Sequence, residues 1–133
     1  MRLETEDGPP IENPTEDQIR QAVEGIGRES GSFAILTRCE EPPEYVQTSG
    51  EGGAFIVECH EVDKHFRAAD EQMTLEATLA LFQAYNRGDD AWRGMAQWQD
   101  ATRETAGARW PVVALIGVVT AALVALILYY SFK

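Results

Sequence analysis

Cysteine and positive charge are both scarce in this chain. Its 133 residues include two cysteines, Cys39 and Cys59, too few for the disulfide framework that staples many small secreted domains. Lys and Arg number 11 against 22 Asp and Glu, a net charge of −11. An excess of that sign repels phosphate, which argues against nucleic acid as a partner of the protein as a whole. Catalytic fingerprints are missing as well: no GxSxG, no phosphate-binding P-loop and no dinucleotide fingerprint occurs. The opening MRLETEDGPP has no basic flank leading into an apolar stretch, so no signal peptide is expected. No repeat with a period between about 20 and 50 residues is visible. The length suits one folded unit.

Against these absences stands one long apolar run. Residues 111–130 read PVVALIGVVTAALVALILYY, with no charge and Thr120 as the only polar residue before the tyrosines. Twenty residues at about 1.5 Å each span about 30 Å, the thickness of a bilayer's hydrocarbon core. Trp110 on one side and Tyr129, Tyr130 and Phe132 on the other suit the two interfaces, and Pro111 suits a first helical turn. A transmembrane helix over residues 110–130 is therefore expected, with a short tail at 131–133. Arg93, Arg103 and Arg109 precede it and only Lys133 follows, so the positive-inside rule puts the N-terminal part in the cytoplasm. The expected topology is single-pass and tail-anchored in the inner (plasma) membrane. Cys39 and Cys59 are then expected as reduced thiols in the core. Gly117, Ala121 and Ala125 recur every four residues and offer a close-packing stripe for a second membrane helix, a homodimer among the possibilities.

The polar part reads as α+β. Residues 1–12, rich in acid and proline, lack periodicity and are expected as a flexible acidic arm. Asn13-Pro14-Thr15-Glu16 reads as a helix start, with Asn13 as cap and Glu16 completing a capping box; Ile19, Ala22, Val23 and Ile26 follow on one face. Residues 32–38, 45–48, 54–60 and 64–68 read as four strands of an antiparallel meander, separated by Pro42-Pro43, Gly50-Glu51-Gly52-Gly53 and a short turn. Thr74 is expected to cap a second helix, running to about Arg87 with Leu75, Thr78, Leu79, Phe82 and Tyr85 as its stripe and Gly88 as its stop. The expected architecture is a two-layer domain over 13–99, two helices on a four-stranded sheet, joined by a connector at 100–109 to the membrane helix.

Candidate chemistry is sparse. Cys59, His60 and His65 are the metal-competent cluster, but the histidines of HEVDKH stand five apart rather than the four of a helical HExxH, and no metal or other cofactor is assigned. Cys59 beside His60 on a strand points to the opposite face, so no thiol–imidazole nucleophile is expected and no catalytic residue is named. The second sheet face would carry Tyr45, Gln47, Ile56, Glu58, His60, His65 and Arg67, either as an ordinary wet face or as a binding surface. Trp92 and Trp98 are read as core residues or as interface anchors. Tyr45, Gln47, Glu58, His60, His65, Arg67, Trp92 and Trp98 are the partner-binding candidates.

The order IENPTEDQI, FAIL, YVQTSGEGGAFIVEC, HFRA, FQAYNRGDDAW and a final Trp98 resembles the first family of bacterial polymorphic-toxin immunity proteins, over about residues 11–100. The matching positions are Tyr45, Gly53, Glu58, His65, Arg67, Tyr85, Gly88, Asp89, Trp92 and Trp98. The resemblance implies a bacterial protein that binds and neutralises a cognate toxin, or a relative that has kept the fold for another interaction; such proteins are commonly soluble, and the apolar run at 111–130 departs from that. Residues 1–109 hold 22 acids and 10 bases, a net of −12, so the charge lies on the cytoplasmic side of the expected anchor. The expectation is a membrane-anchored, non-enzymatic module that recognises a basic protein. Its rivals are an accessory subunit assembled through the Gly117 stripe and a small enzyme or metal-binding protein using the His60/His65 face.

Overall fold

Period-two patterning in the middle of the chain sets the architecture. Ala34 and Leu36, Val46, then Phe55, Val57 and Cys59, and finally Ala68 are all buried and all fall on one side of successive strands. In a computed structural model of the protein, which describes residues 1–6, 8–26, 32–51 and 53–102, these strands are β3 (Phe33–Glu40), β4 (Pro43–Glu51), β5 (Ala54–Glu61) and β6 (Lys64–Ala68). They form the expected antiparallel meander. At the β4–β5 hairpin Gly50 is required by space, because a Cβ there would sit 2.5 Å from the carbonyl oxygen of Ala54.

The fold is α+β, with two helices on one face of an antiparallel sheet, but the sheet has seven strands rather than four. Three short strands extend the meander: β1 (Arg2–Thr5), β2 (Ile11–Glu12) and β7 (Trp98–Asp100), in the order β2-β1-β3-β4-β5-β6-β7. The flexible arm expected over residues 1–12 is thus corrected. Arg2–Thr5 pairs with β3, and Leu3, opposite Leu36, is 1 % exposed. One buried leucine and an otherwise open strand edge hold a segment whose own composition is mostly polar. At the other edge β7 pairs with β6, so the sheet takes in Asp100 at the start of the expected connector. Met1–Asp100 form one compact unit.

Helix α1 (Glu16–Ile26) presents Ile19, Val23 and Ile26 to the sheet, each buried and each worth about 1.5–3 kcal/mol of removal from water. Its capping box is built from Thr15 and Gln18, not Asn13 and Glu16: Gln18 N donates to Thr15 Oγ1 at 3.1 Å, and Thr15 N donates to Gln18 Oε1 at 2.9 Å. Asn13 instead adopts a positive φ of 52° and donates its N–H to the carbonyl of Met1. Helix α2 (Leu75–Arg87) begins as expected, with Thr74 Oγ1 accepting from Ala77 N, and ends on Gly88 at φ 77°. It buries Thr78, Leu81, Phe82, Gln83, Ala84 and Tyr85, while Leu75 and Leu79 of the expected stripe pack at its margin. A 3₁₀-helix, Asp90–Met95, then carries Trp92 into the core.

Among the described residues no helix is long and apolar enough to cross a membrane. The apolar run at 111–130, with Gly117, Ala121 and Ala125, lies outside the described residues.

Candidate functional site

The strand register gathers six of the eight binding candidates on the face opposite the helices. Gln47, Glu58 and Arg67 lie in one row across β4, β5 and β6, and Tyr45, His60 and His65 in the next. Alternation explains the grouping, since their sequence neighbours Val46, Val57, Cys59 and Ala68 belong to the core cluster and Phe66 packs against it.

This face is not simply wet. Glu58 is 1 % exposed, His65 2 % and Gln47 5 %. A buried carboxylate costs several kcal/mol unless its oxygens are occupied, and here they are. Gln47 Nε2 donates to Glu58 Oε1 at 2.7 Å and Arg67 Nε donates to Oε2 at 2.8 Å, while His65 Nε2 stands 3.3 Å from Oε1. Burial pushes the Glu58 carboxyl up, but the bonds from His65, Arg67 and Gln47 outweigh it and hold the group below the usual carboxylate range.

A second line of contacts runs outward from this anchor. His65 Nδ1 lies 3.5 Å from His60 Nδ1, and His60 Nε2 lies 3.0 Å from the carbonyl oxygen of Val62. Tyr45 stacks on His60, ring centroids 5.4 Å apart and planes within 7°. Burial, helped by the charge of Glu58, pushes the Tyr45 phenol up to about 12, so it stays a neutral donor. Burial likewise holds His60 below the ordinary histidine value.

The line ends at a tip made by two turns. Val62 N donates to the carbonyl of Pro43 at 3.0 Å, tying the β5–β6 turn to the start of β4. Val62 is 50 % exposed and holds a positive φ of 58°, a conformation that costs a β-branched residue about 1–3 kcal/mol. Glu41, Glu44 and Asp63 lie in or beside the same two turns, and none of them forms an ion pair among the described residues.

Trp92 and Trp98 lie on the other, helix-bearing side of the sheet. Trp92 is 1 % exposed and meets Tyr85 and Trp98 edge to face, at 5.2 and 5.7 Å. It is a core residue, which removes it from the contact set. Trp98 is half-buried and donates its indole N–H to the carbonyl of Arg93. With Cys59, Glu61, Phe66 and Arg93 the two indoles line a cavity of about 170 Å³, closed at the rim by Arg93, which pairs with Glu61 through both terminal nitrogens and lies over the Trp92 ring at 4.6 Å. Burial pushes the Cys59 thiol up to about 12. Cys59 and the His60/His65 pair occupy opposite faces, so they form no thiol–imidazole pair. No three His, Cys, Asp or Glu side chains converge on a metal-sized site among the described residues.

Of the eight binding candidates, Gln47, Glu58 and His65 are buried in the face opposite the helices and Trp92 in the core on the helix side, whereas Tyr45, His60, Arg67 and Trp98 reach solvent. The Val62 tip escaped the sequence reading. Its only advance signal is the acid spacing in Glu40-Glu41-Pro42-Pro43-Glu44 and Glu61-Val62-Asp63, which frames two turns that the register brings to one end of the sheet. No protein-family model, no curated protein and no solved structure matches the chain.

Proposed function

We propose that this chain is a membrane-anchored, non-enzymatic interaction module whose acidic tip docks a basic protein. The observation that carries the reading is Val62: an exposed apolar side chain on strained backbone, at the end of the sheet where the two turns bring Glu41, Glu44 and Asp63 together with the single base Lys64, and next to the Tyr45–His60 stack. An apolar knob in an acidic surround fits a partner surface that offers a shallow apolar recess ringed by Lys and Arg. The net charge of −11 steers such a partner toward the domain at long range and the tip supplies the local fit. Behind the tip, Glu58 and its partners hold the strand ends in register, a supporting role for residues first read as contacts.

The apolar run at 111–130 is the proposed anchor and the positive-inside bias the support for a cytoplasmic domain. The resemblance to toxin-immunity proteins makes a cationic toxin the leading partner class, met at the inner membrane.

A photo-crosslinking residue placed at position 62 of the full chain tests the reading, with one at the exposed Gln21 of α1 as its control. Adducts to a basic protein from position 62 and not from position 21 are expected. Equal labelling from both positions, or adducts from 21 alone, would overturn it.

A further inference from the structure

On the helix-bearing side of β5, across the sheet from the Tyr45–His60 stack, the protein already holds one guanidinium. Arg93 Nη1 donates to Glu61 Oε1 at 2.9 Å and Nη2 donates to Oε2, a fork of two bonds on one carboxylate. The same group lies 4.6 Å over the Trp92 ring. Carboxylate and indole face together make a receptor for a planar cation, and Arg93 fills it only in part. Beside it lies the cavity of about 170 Å³ whose remaining walls are Cys59, Phe66 and Trp98. A cavity of about 150 Å³ already takes a guest the size of benzene.

Arg93 also has a second place to go. Its side chain is half exposed, and its Nε stands 3.8 Å from Oδ1 of Asp90, an exposed acid one turn back on the 3₁₀-helix. The contact to Asp90 is too long for a hydrogen bond but needs only a small rotation to become one.

We propose that the cavity between Glu61, Trp92 and Trp98 is a binding site for an arginine side chain of a protein partner, a site that Arg93 occupies until the partner arrives. The incoming guanidinium takes the place of Arg93 on Glu61 and on the Trp92 face, its aliphatic stem lies against Phe66 and Trp98, and Arg93 turns to Asp90. One guanidinium replaces another, so the Glu61 carboxylate is never left bare, and the exchange fills apolar space that Arg93 leaves empty. Trp92, 1 % exposed beneath Arg93, meets the guest only as Arg93 leaves, which is how a core residue comes to line a site. Lysine suits the site less well, because a compact ammonium cannot fork onto both oxygens and stack on the indole at once. An anion would meet Glu61 and Asp90 and the repulsion of a chain with a net charge of −11. Glu61 directly precedes Val62, so the site deepens the docking reading above, on which the nature of the arginine's carrier rests.

The test titrates Nα-acetyl-arginine methylamide, at millimolar concentrations, into the full chain in detergent micelles and follows the indole N–H resonances of Trp92 and Trp98 by NMR. No partner protein is involved, so failure here removes the arginine site and leaves the Val62 reading to its own crosslink. Both resonances are expected to shift saturably with the arginine probe, less with the corresponding lysine probe, and not with the citrulline analogue, which keeps the shape and lacks the charge. Arg93→Ala empties the site and is expected to bind the arginine probe about tenfold more tightly than the wild type, since the ion pair and the cation–π contact of Arg93 no longer have to be displaced. Glu61→Gln is expected to lose the response. Equal affinity in the wild type and Arg93→Ala, no saturable shift in Arg93→Ala, or lysine or citrulline probes binding as tightly as the arginine one would overturn the proposal. Should Arg93→Ala fail to fold, Arg93→Gln, which keeps a stem over Trp92 and drops the charge, takes its place with the same expectation.

Discussion

Arg67 reaches from β6 to Glu58 on β5 and donates its Nε to Oε2 over 2.8 Å, meeting a carboxylate that is 1 % exposed. The arginine side chain is itself only 17 % exposed, so the pair sits largely outside the screening of water. Removing one member of such a pair leaves the other's charge buried. Arg67→Ala is accordingly expected to cost about 3–5 kcal/mol in urea unfolding, with Arg67→Lys recovering part of the loss. A cost under about 1 kcal/mol would mean that Glu58 is not held as described.

Acid should unfold the protein in two stages. The folded-state values of His60 and Glu58 both lie below their ordinary ones, each opposed or driven first by burial as described. The unfolded chain therefore binds more protons in each window, and stability falls as pH falls. The first loss is expected below about pH 6.5, the ordinary histidine value, and a steeper one below about pH 4.5, the ordinary carboxyl value. Thermal melts from pH 8 to pH 3 check this, and Glu58→Gln should flatten the lower stage. A melting temperature that rises as the pH falls below about 6.5 would contradict the assignment.

Trp92→Ala should cost about 3–5 kcal/mol, the usual range for an aromatic core deletion. Trp92 touches Tyr85 and Trp98 and seats Arg93 on its ring. A near-neutral effect on stability together with loss of partner binding would return it to the contact set.

The two thiols should differ in a disulfide-exchange assay. Cys59 is buried with its thiol pushed up to about 12, while Cys39 is half-buried on β3, and both are free. About one thiol per folded chain should react at neutral to mildly alkaline pH, and both after denaturation. Rapid reaction of both in the native protein would show that Cys59 is accessible.

Local chemistry made much of this fold legible. Thr74 and Gly88 bracket α2 because capping needs only a hydroxyl before the helix and a left-handed residue after it. The meander followed from β-type runs between turn formers. Strands β1, β2 and β7 were not legible, because Leu3 gains its place from pairing with Leu36 more than 30 positions away in sequence. At the N-terminus of α1 two capping signals overlap, and Thr15 with Gln18 prevails over Asn13 with Glu16. Which candidate residues share a face was readable from the strand period. That Glu58 and His65 are buried was not, since that depends on neighbours contributed by β4 and β6.

The most direct test of the central claim compares partner recovery by full-length wild type and by Glu41→Lys/Glu44→Lys/Asp63→Lys. Both are crosslinked in native membranes at about 50 mM and about 500 mM salt, across which the screening length shrinks from more than 10 Å to about 4 Å. The account predicts a basic protein recovered by the wild type at low salt, and reduced about tenfold or more by high salt or by the charge reversal. Recovery of the same partners in equal amounts by both proteins at both salt concentrations would contradict it.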